Sequence, residues 1–165
     1  MNNNIQVEII EKGKITIIGK MGQGTTSSDV NWIQELWDEA NEHFNELGSL
    51  VKVEEDGTFA GFWGAMSDID NNFLPWDWQG KYLAGCEVKE DSEAPEGWTK
   101  WVLPAFKYLS VKCNHNNYDD VVSYMNNIYI PKHKYKIIGA MQEYYDQKSV
   151  DGSFNLLFPI DISTL

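Results

Sequence analysis

Isoleucine and valine alternate with polar residues over 5–20: Ile5, Val7 and Ile9, then Ile15, Ile17 and Ile18. That period of two predicts two short strands, or one bent strand, around Lys12-Gly13-Lys14. Met21 to Thr26 reads as a glycine-rich connector, and Ser27, Ser28 and Asp29 offer N-cap side chains. The period then lengthens. Val30, Ile33, Leu36, Trp37, Ala40, Phe44 and Leu47 put one apolar face on a helix of about five turns, with Gly48 as its stop. Thr58 to Ser67 is a continuous apolar run, predicting a strand buried on both faces; Asp68 to Gly80 follows as a loop and Lys81 to Lys89 as a strand.

After an acidic, proline-containing link at 90–97 the order repeats. Trp98–Leu103 and Phe106–Cys113 read as strands around Pro104-Ala105. Asn116 or Asn117 caps a helix over about 118–129, with Val121, Val122, Met125, Ile128 and Tyr129 inward and Pro131 ending it. Tyr135–Asp146 and Ser153–Ile162 are the last strands, around a turn near 149–152. The chain therefore reads as one α+β domain over 1–165, with halves of about 5–89 and 98–162. Two pseudo-symmetric β-α-β-β units would form an antiparallel sheet system with two helices on one side. A ligand cleft would lie between the halves.

Length agrees with one domain, since a chain of 165 residues buries about 70% of its unfolded surface and folds without staples. The formal net charge of −12 repels phosphate backbones and anionic lipid, so nucleic acid is not an expected partner. No apolar run approaches the ~20 residues of a membrane span, and the polar stretch after Met1 leads us to expect no secretory leader. Cys86 and Cys113 sit in separate apolar runs and suit reduced, buried thiols, so a cytoplasmic location is expected. Seven Trp, eight Tyr and seven Phe exceed what patterning needs, and such rings serve a core or a pocket wall.

Several motifs fail on inspection. Asp68-Ile69-Asp70-Asn71-Asn72 begins like a calcium loop, but Phe73 stands where the turn needs Gly and Gln79 where it needs Glu. Gly19, Gly22 and Gly24 match no phosphate-binding spacing, and His43, His115 and His133 match no metal spacing. No cofactor is expected. Glu87 and Glu143 stand out, each inside an otherwise apolar strand. Alternation puts Glu143 with Met141 and Tyr145 on one face, and the pattern alone leaves open whether that face is wet. Facing rings, a lone carboxylate can neutralise a lipophilic cation or act as general base toward water.

Tyr82-Leu83-Ala84-Gly85-Cys86-Glu87-Val88, Pro95-Glu96-Gly97-Trp98 and Leu103-Pro104-Ala105-Phe106-Lys107-Tyr108 resemble the GyrI-like, AraC-type effector-binding domains. So do Gln142-Glu143-Tyr144-Tyr145 and Leu157-Phe158-Pro159-Ile160, and the resemblance covers roughly 5–162. It implies a small-molecule sensor fold, with a glutamate at the pocket floor from the penultimate strand. Glu143 holds that position, and Glu87 is carried with less weight. Trp63, Trp98, Trp101, Tyr108 and Tyr145 are the ring candidates for the pocket. The sequence lacks the helix-turn-helix of the regulators, so any DNA contact would need a separate protein partner.

Three functions follow from the resemblance. The first is binding of flat, hydrophobic compounds, whether neutral or cationic, for bacterial multidrug sensing or sequestration. The second is cofactor-independent hydrolysis of cyclopropane-bearing alkylators, with Glu143 as base and Tyr108 or Tyr145 stabilising the phenolate. The third is a protein interaction, such as topoisomerase inhibition.

Overall fold

The alternation over 5–20 resolves into two strands, β1 (Val7–Lys12) and β2 (Ile15–Thr25). This computed structural model describes residues 5–25, 32–146 and 151–161, and eleven further elements follow among them.

 Those are α1 (Trp32–His43) with a 3₁₀ turn (Phe44–Leu47), β3 (Phe62–Ser67), β4 (Gln79–Glu87), β5 (Thr99–Leu103), β6 (Phe106–Cys113), α2 (Tyr118–Tyr124), a π turn (Met125–Tyr129), α3 (Ile130–His133), β7 (Gln142–Tyr145) and β8 (Phe154–Ile160). The eight strands form one antiparallel sheet in the order β1-β6-β8-β7-β3-β4-β2-β5.

That order has a geometric consequence. Gly13-Lys14 joins β1 to β2, and Pro104-Ala105 joins β5 to β6, although each pair stands at opposite ends of the sheet. Three residue steps reach only about 11 Å, so the sheet must curl until its ends approach each other. Its inner face closes on a core that includes Ile17, Trp63, Leu83, Trp101, Tyr108 and Leu157. The outer face carries the helices. Ala40 of α1 packs with Met66, Tyr82 and Ala84, while Val121 and Met125 pack with Leu109, Val111 and Leu156. Each half also places its first strand at the edge of the other, β1 beside β6 and β5 beside β2.

Several sequence expectations are corrected. The glycine-rich stretch 21–25 is strand, because its missing side chains let α1 rest directly on β2. A Cβ on Gly22 would lie 2.9 Å from Leu36, and one on Gly24 2.6 Å from Trp32. The proposed caps at 27–29 lie outside the described residues. Gly48 does stop the helical run, but in a right-handed conformation (φ −55°), because the helix has already tightened into its 3₁₀ turn. Gly61, at φ +129°, interrupts the apolar run and leaves only Phe62–Ser67 as strand.

The second helix passes through Pro131 and ends at left-handed Lys134 (φ 58°). The wider π turn before Pro131 accommodates the missing N–H, and its longer repeat rotates Ile128 outward to 52% exposure. Residues 135–141 bridge to β8 only at Ile137, so the strand there is Gln142–Tyr145 rather than the whole of 135–146.

Candidate functional site

The two halves meet where β7 pairs with β3, at the middle of the sheet. Glu143 lies opposite Gly64 and, like its other neighbour Leu156, faces the helices. Gly64 is required there, because a Cβ would collide with the Tyr82 hydroxyl and with Oε1 of Glu143. The carboxylate accepts three phenol hydrogens. Tyr82 of β4 donates to Oε1 at 2.5 Å, Tyr145 of β7 donates to Oε1 at 3.0 Å, and Tyr118 of α2 donates to Oε2 at 2.5 Å. Trp37 of α1 donates its indole N–H to the Tyr82 oxygen at 2.9 Å, which leaves the Tyr82 proton for Glu143.

Glu143 is 7% exposed, and among the described residues no lysine forms an ion pair with it. Burial raises its pKa above the ordinary carboxylate value, and the three phenol donors, with a smaller contribution from His115, only partly oppose that rise. Burial, reinforced by the Glu143 charge, pushes the phenols of Tyr82, Tyr118 and Tyr145 upward, so they remain donors. A group with a raised folded pKa contributes stability below its unfolded value and loses it as pH rises through the folded value. Thermal melts from about pH 4 to 8 should therefore show a fall in stability that Glu143→Gln removes. Parallel profiles for the two proteins would contradict that assignment.

A cleft of about 340 Å³ opens beside this cluster, lined by Gln34, Trp37 and Asn41 of α1, Phe62 of β3, Tyr145 of β7, and His115. Two of these reach the carboxylate system: Tyr145 directly, and Trp37 through Tyr82. The rings of Trp37 and Tyr145 meet edge to face, 5.6 Å apart.

Of the residues expected in a pocket, Glu143 and Tyr145 come together. The rest do not join them, and strand parity explains most of the separation. Trp63 and Glu87 point to the inner face, where the indole N–H donates to Glu87 at 3.0 Å and Lys52 pairs with Glu87 at 3.3 Å. Trp63 also packs on Tyr144 at 4.6 Å, with Lys12 set 4.9 Å from the tyrosine ring. Trp101 and Tyr108 belong to the same inner core. Trp98 stacks on Phe44 at the end of α1 and donates to Glu46 at 2.8 Å.

Tyr108 is fully buried, and its hydroxyl has no hydrogen-bond partner among the described residues. Tyr108→Phe should therefore raise stability in urea unfolding by about 1–2 kcal/mol, and a loss would reveal a partner for the hydroxyl. The sequence reading missed Tyr82, Tyr118, Trp37, Gly64 and His115 as site residues. One signal was present: Tyr82 shares parity with Ala84 and Cys86, which fixes it to the helix side of β4.

The chain belongs to the Cass2 family of integron-associated effector binding proteins, whose profile matches residues 8–160. Its fold is GyrI-like. It is similar to that of SAV2435 bound to tetraphenylphosphonium, with a TM-score of 0.70 at 12% identity over 96% of this chain and 95% of that one. The EcmrR C-terminal domain gives a TM-score of 0.65 at 12% identity, over 96% and 98% of the two chains. The integron cassette protein VCH_CASS2 from the mobile metagenome of Vibrio cholerae gives 0.51 at 14% identity, over 96% and 100%. No curated protein matches the sequence.

Proposed function

We propose that the protein binds flat, hydrophobic cations in the cleft between α1 and the seam of the sheet, with Glu143 as the compensating charge. The contrast between the two buried glutamates carries this reading. Glu87 is already matched by Lys52, whereas Glu143 is hydrogen-bonded only by neutral phenols and forms no ion pair among the described residues, with His115 of the cleft acting on it more weakly. A buried carboxylate without a cation is costly, and a ligand that brings one recovers that cost on binding. Trp37, Phe62 and Tyr145 supply ring surface for such a ligand. The fold-mate SAV2435, bound to tetraphenylphosphonium, supports the lipophilic and cationic part of this reading; that ion is tetrahedral, so the support does not extend to flatness.

Calorimetric titration with tetraphenylphosphonium and with neutral triphenylphosphine oxide tests the reading. Glu143→Gln should weaken the phosphonium at least tenfold, about 1.4 kcal/mol, and leave the neutral compound unchanged. Equal effects on both compounds would refute the role of charge. The hydrolase alternative needs Glu143 to take a proton from water, and three phenols already take three of the roughly four acceptor positions of its carboxylate. Binding is the reading we retain.

A further inference from the structure

We infer that the protein pairs with a second copy of itself through the end of the sheet far from the cleft. The loop 68–78 of each copy lies against Lys132, Lys134 and Lys136 of the other. The inference is independent of the cation-binding reading. Phe62 and Tyr145, which line the cleft, pair at one end of the seam. At the other end β3 stops, β7 starts, and the Met66 N–H donates to the Gln142 side chain at 2.7 Å.

Three of the eight large apolar side chains exposed among the described residues crowd into the loop at that end: Ile69 at 41%, Leu74 at 47% and Trp78 at 68%. Scattered singly they would need no explanation, but a cluster marks a contact surface. The loop is also firmly built. Oδ1 of Asp68 accepts from the Ser67 hydroxyl and from the N–H groups of Asn72 and Leu74, while Trp76 stacks on Trp32 and donates to the Lys81 carbonyl. Asn71 and Phe73 are held left-handed (φ 61° and 57°), a strain that these bonds sustain. A loop preorganised with its apolar side chains outward loses little entropy on docking.

Its charges say what it docks on. Residues 68–78 carry Asp68, Asp70 and Asp77 and no basic residue, so a matching face is basic and supplies rings. This acidic chain has such a face. Lys132, Lys134 and Lys136 are exposed and form no ion pair among the described residues. Between them His133 stacks on Tyr129 at 4.1 Å and lies nearly parallel to Tyr135. The two features share one end of the molecule: the Ala140 N–H donates to the Phe73 carbonyl at 2.8 Å, and four residue steps put Lys136 within about 14 Å of Ala140. A two-fold axis through that end sets each acidic loop on the other copy's lysines, so the contact closes as a dimer.

Sedimentation velocity on the full chain from about 1 to about 500 μM should show a concentration-dependent dimer. Lys132→Glu/Lys136→Glu and Asp70→Lys/Asp77→Lys should each raise its Kd at least about tenfold. An equimolar mixture of the two variants should restore dimerisation, because both contacts of the mixed pair are again attractive. That rescue distinguishes an altered surface from a damaged fold. Trp78→Ser should weaken the dimer without lowering the melting temperature of the monomer. A chain that stays monomeric throughout, variants that pair like the parent, or a mixture without rescue overturns the proposal. A monomer that floats with phosphatidylcholine vesicles would overturn it too, and give the loop to a lipid surface.

Discussion

Trp63→Ala is expected to cost about 3–5 kcal/mol of folding free energy, a large share of the stability of an ordinary domain. Trp63 has no exposed surface and fills the inside of the curled sheet. Its removal opens a cavity beside Tyr144 and withdraws the indole N–H that, with Lys52, holds Glu87. Trp63→Phe should cost less, because it keeps most of the apolar volume and loses the N–H. Urea unfolding of both variants checks the order. A Trp63→Ala protein that unfolds like the parent and fails only in ligand binding would make Trp63 a pocket wall, contrary to its place in the core.

Gly64→Ala adds a single methyl and should still cost about 1–3 kcal/mol, as overpacking does in a dense interior. The new Cβ meets the Tyr82 hydroxyl and the Glu143 carboxylate. Tyr82 has little room to yield, being 1% exposed and held from behind by Trp37. The hydrogen bond between Tyr82 and Glu143 should break, so the variant loses stability and phosphonium affinity together. Urea unfolding with and without tetraphenylphosphonium measures both. Unchanged values would show that the cluster rearranges freely around the methyl group.

Strand patterning was the most legible part of this fold, and the seam the least. Alternating isoleucines located β1 and β2, and the mixed helix-strand order suggested two similar halves. The destinations of β1 and β5 were not legible, because an edge exchange is decided by pairing between distant segments rather than by any local period. The glycines of β2 read as a loop for a related reason: propensity disfavours them in strands, and the packing of α1 overrides it. In the site, Glu143 was visible as a polar residue in an apolar strand. Its companions were not, since Tyr82 and Trp37 look like ordinary core rings until the sheet and α1 bring their polar ends together. Parity did hold information that the ring count obscured. Trp63 is adjacent to Gly64, so the two must face opposite ways, and only one of those faces belongs to Glu143.

The edge exchange bears on how the cleft can adapt to ligands of different shape. A site between two lobes ordinarily widens by hinge motion, with the lobes parting as rigid bodies. Here each lobe is stitched to the other by a borrowed strand, and the seam itself is a hydrogen-bonded ladder from Phe62–Tyr145 to Gly64–Glu143. Parting the lobes would mean breaking sheet. In the proposed cleft, accommodation would come from the walls that are not sewn in: the turn that carries His115 and, chiefly, α1, which lies on the outer face of β2 and β4 and carries Gln34, Trp37 and Asn41. Differences in ligand shape should register as small displacements of that helix against a sheet that stays still.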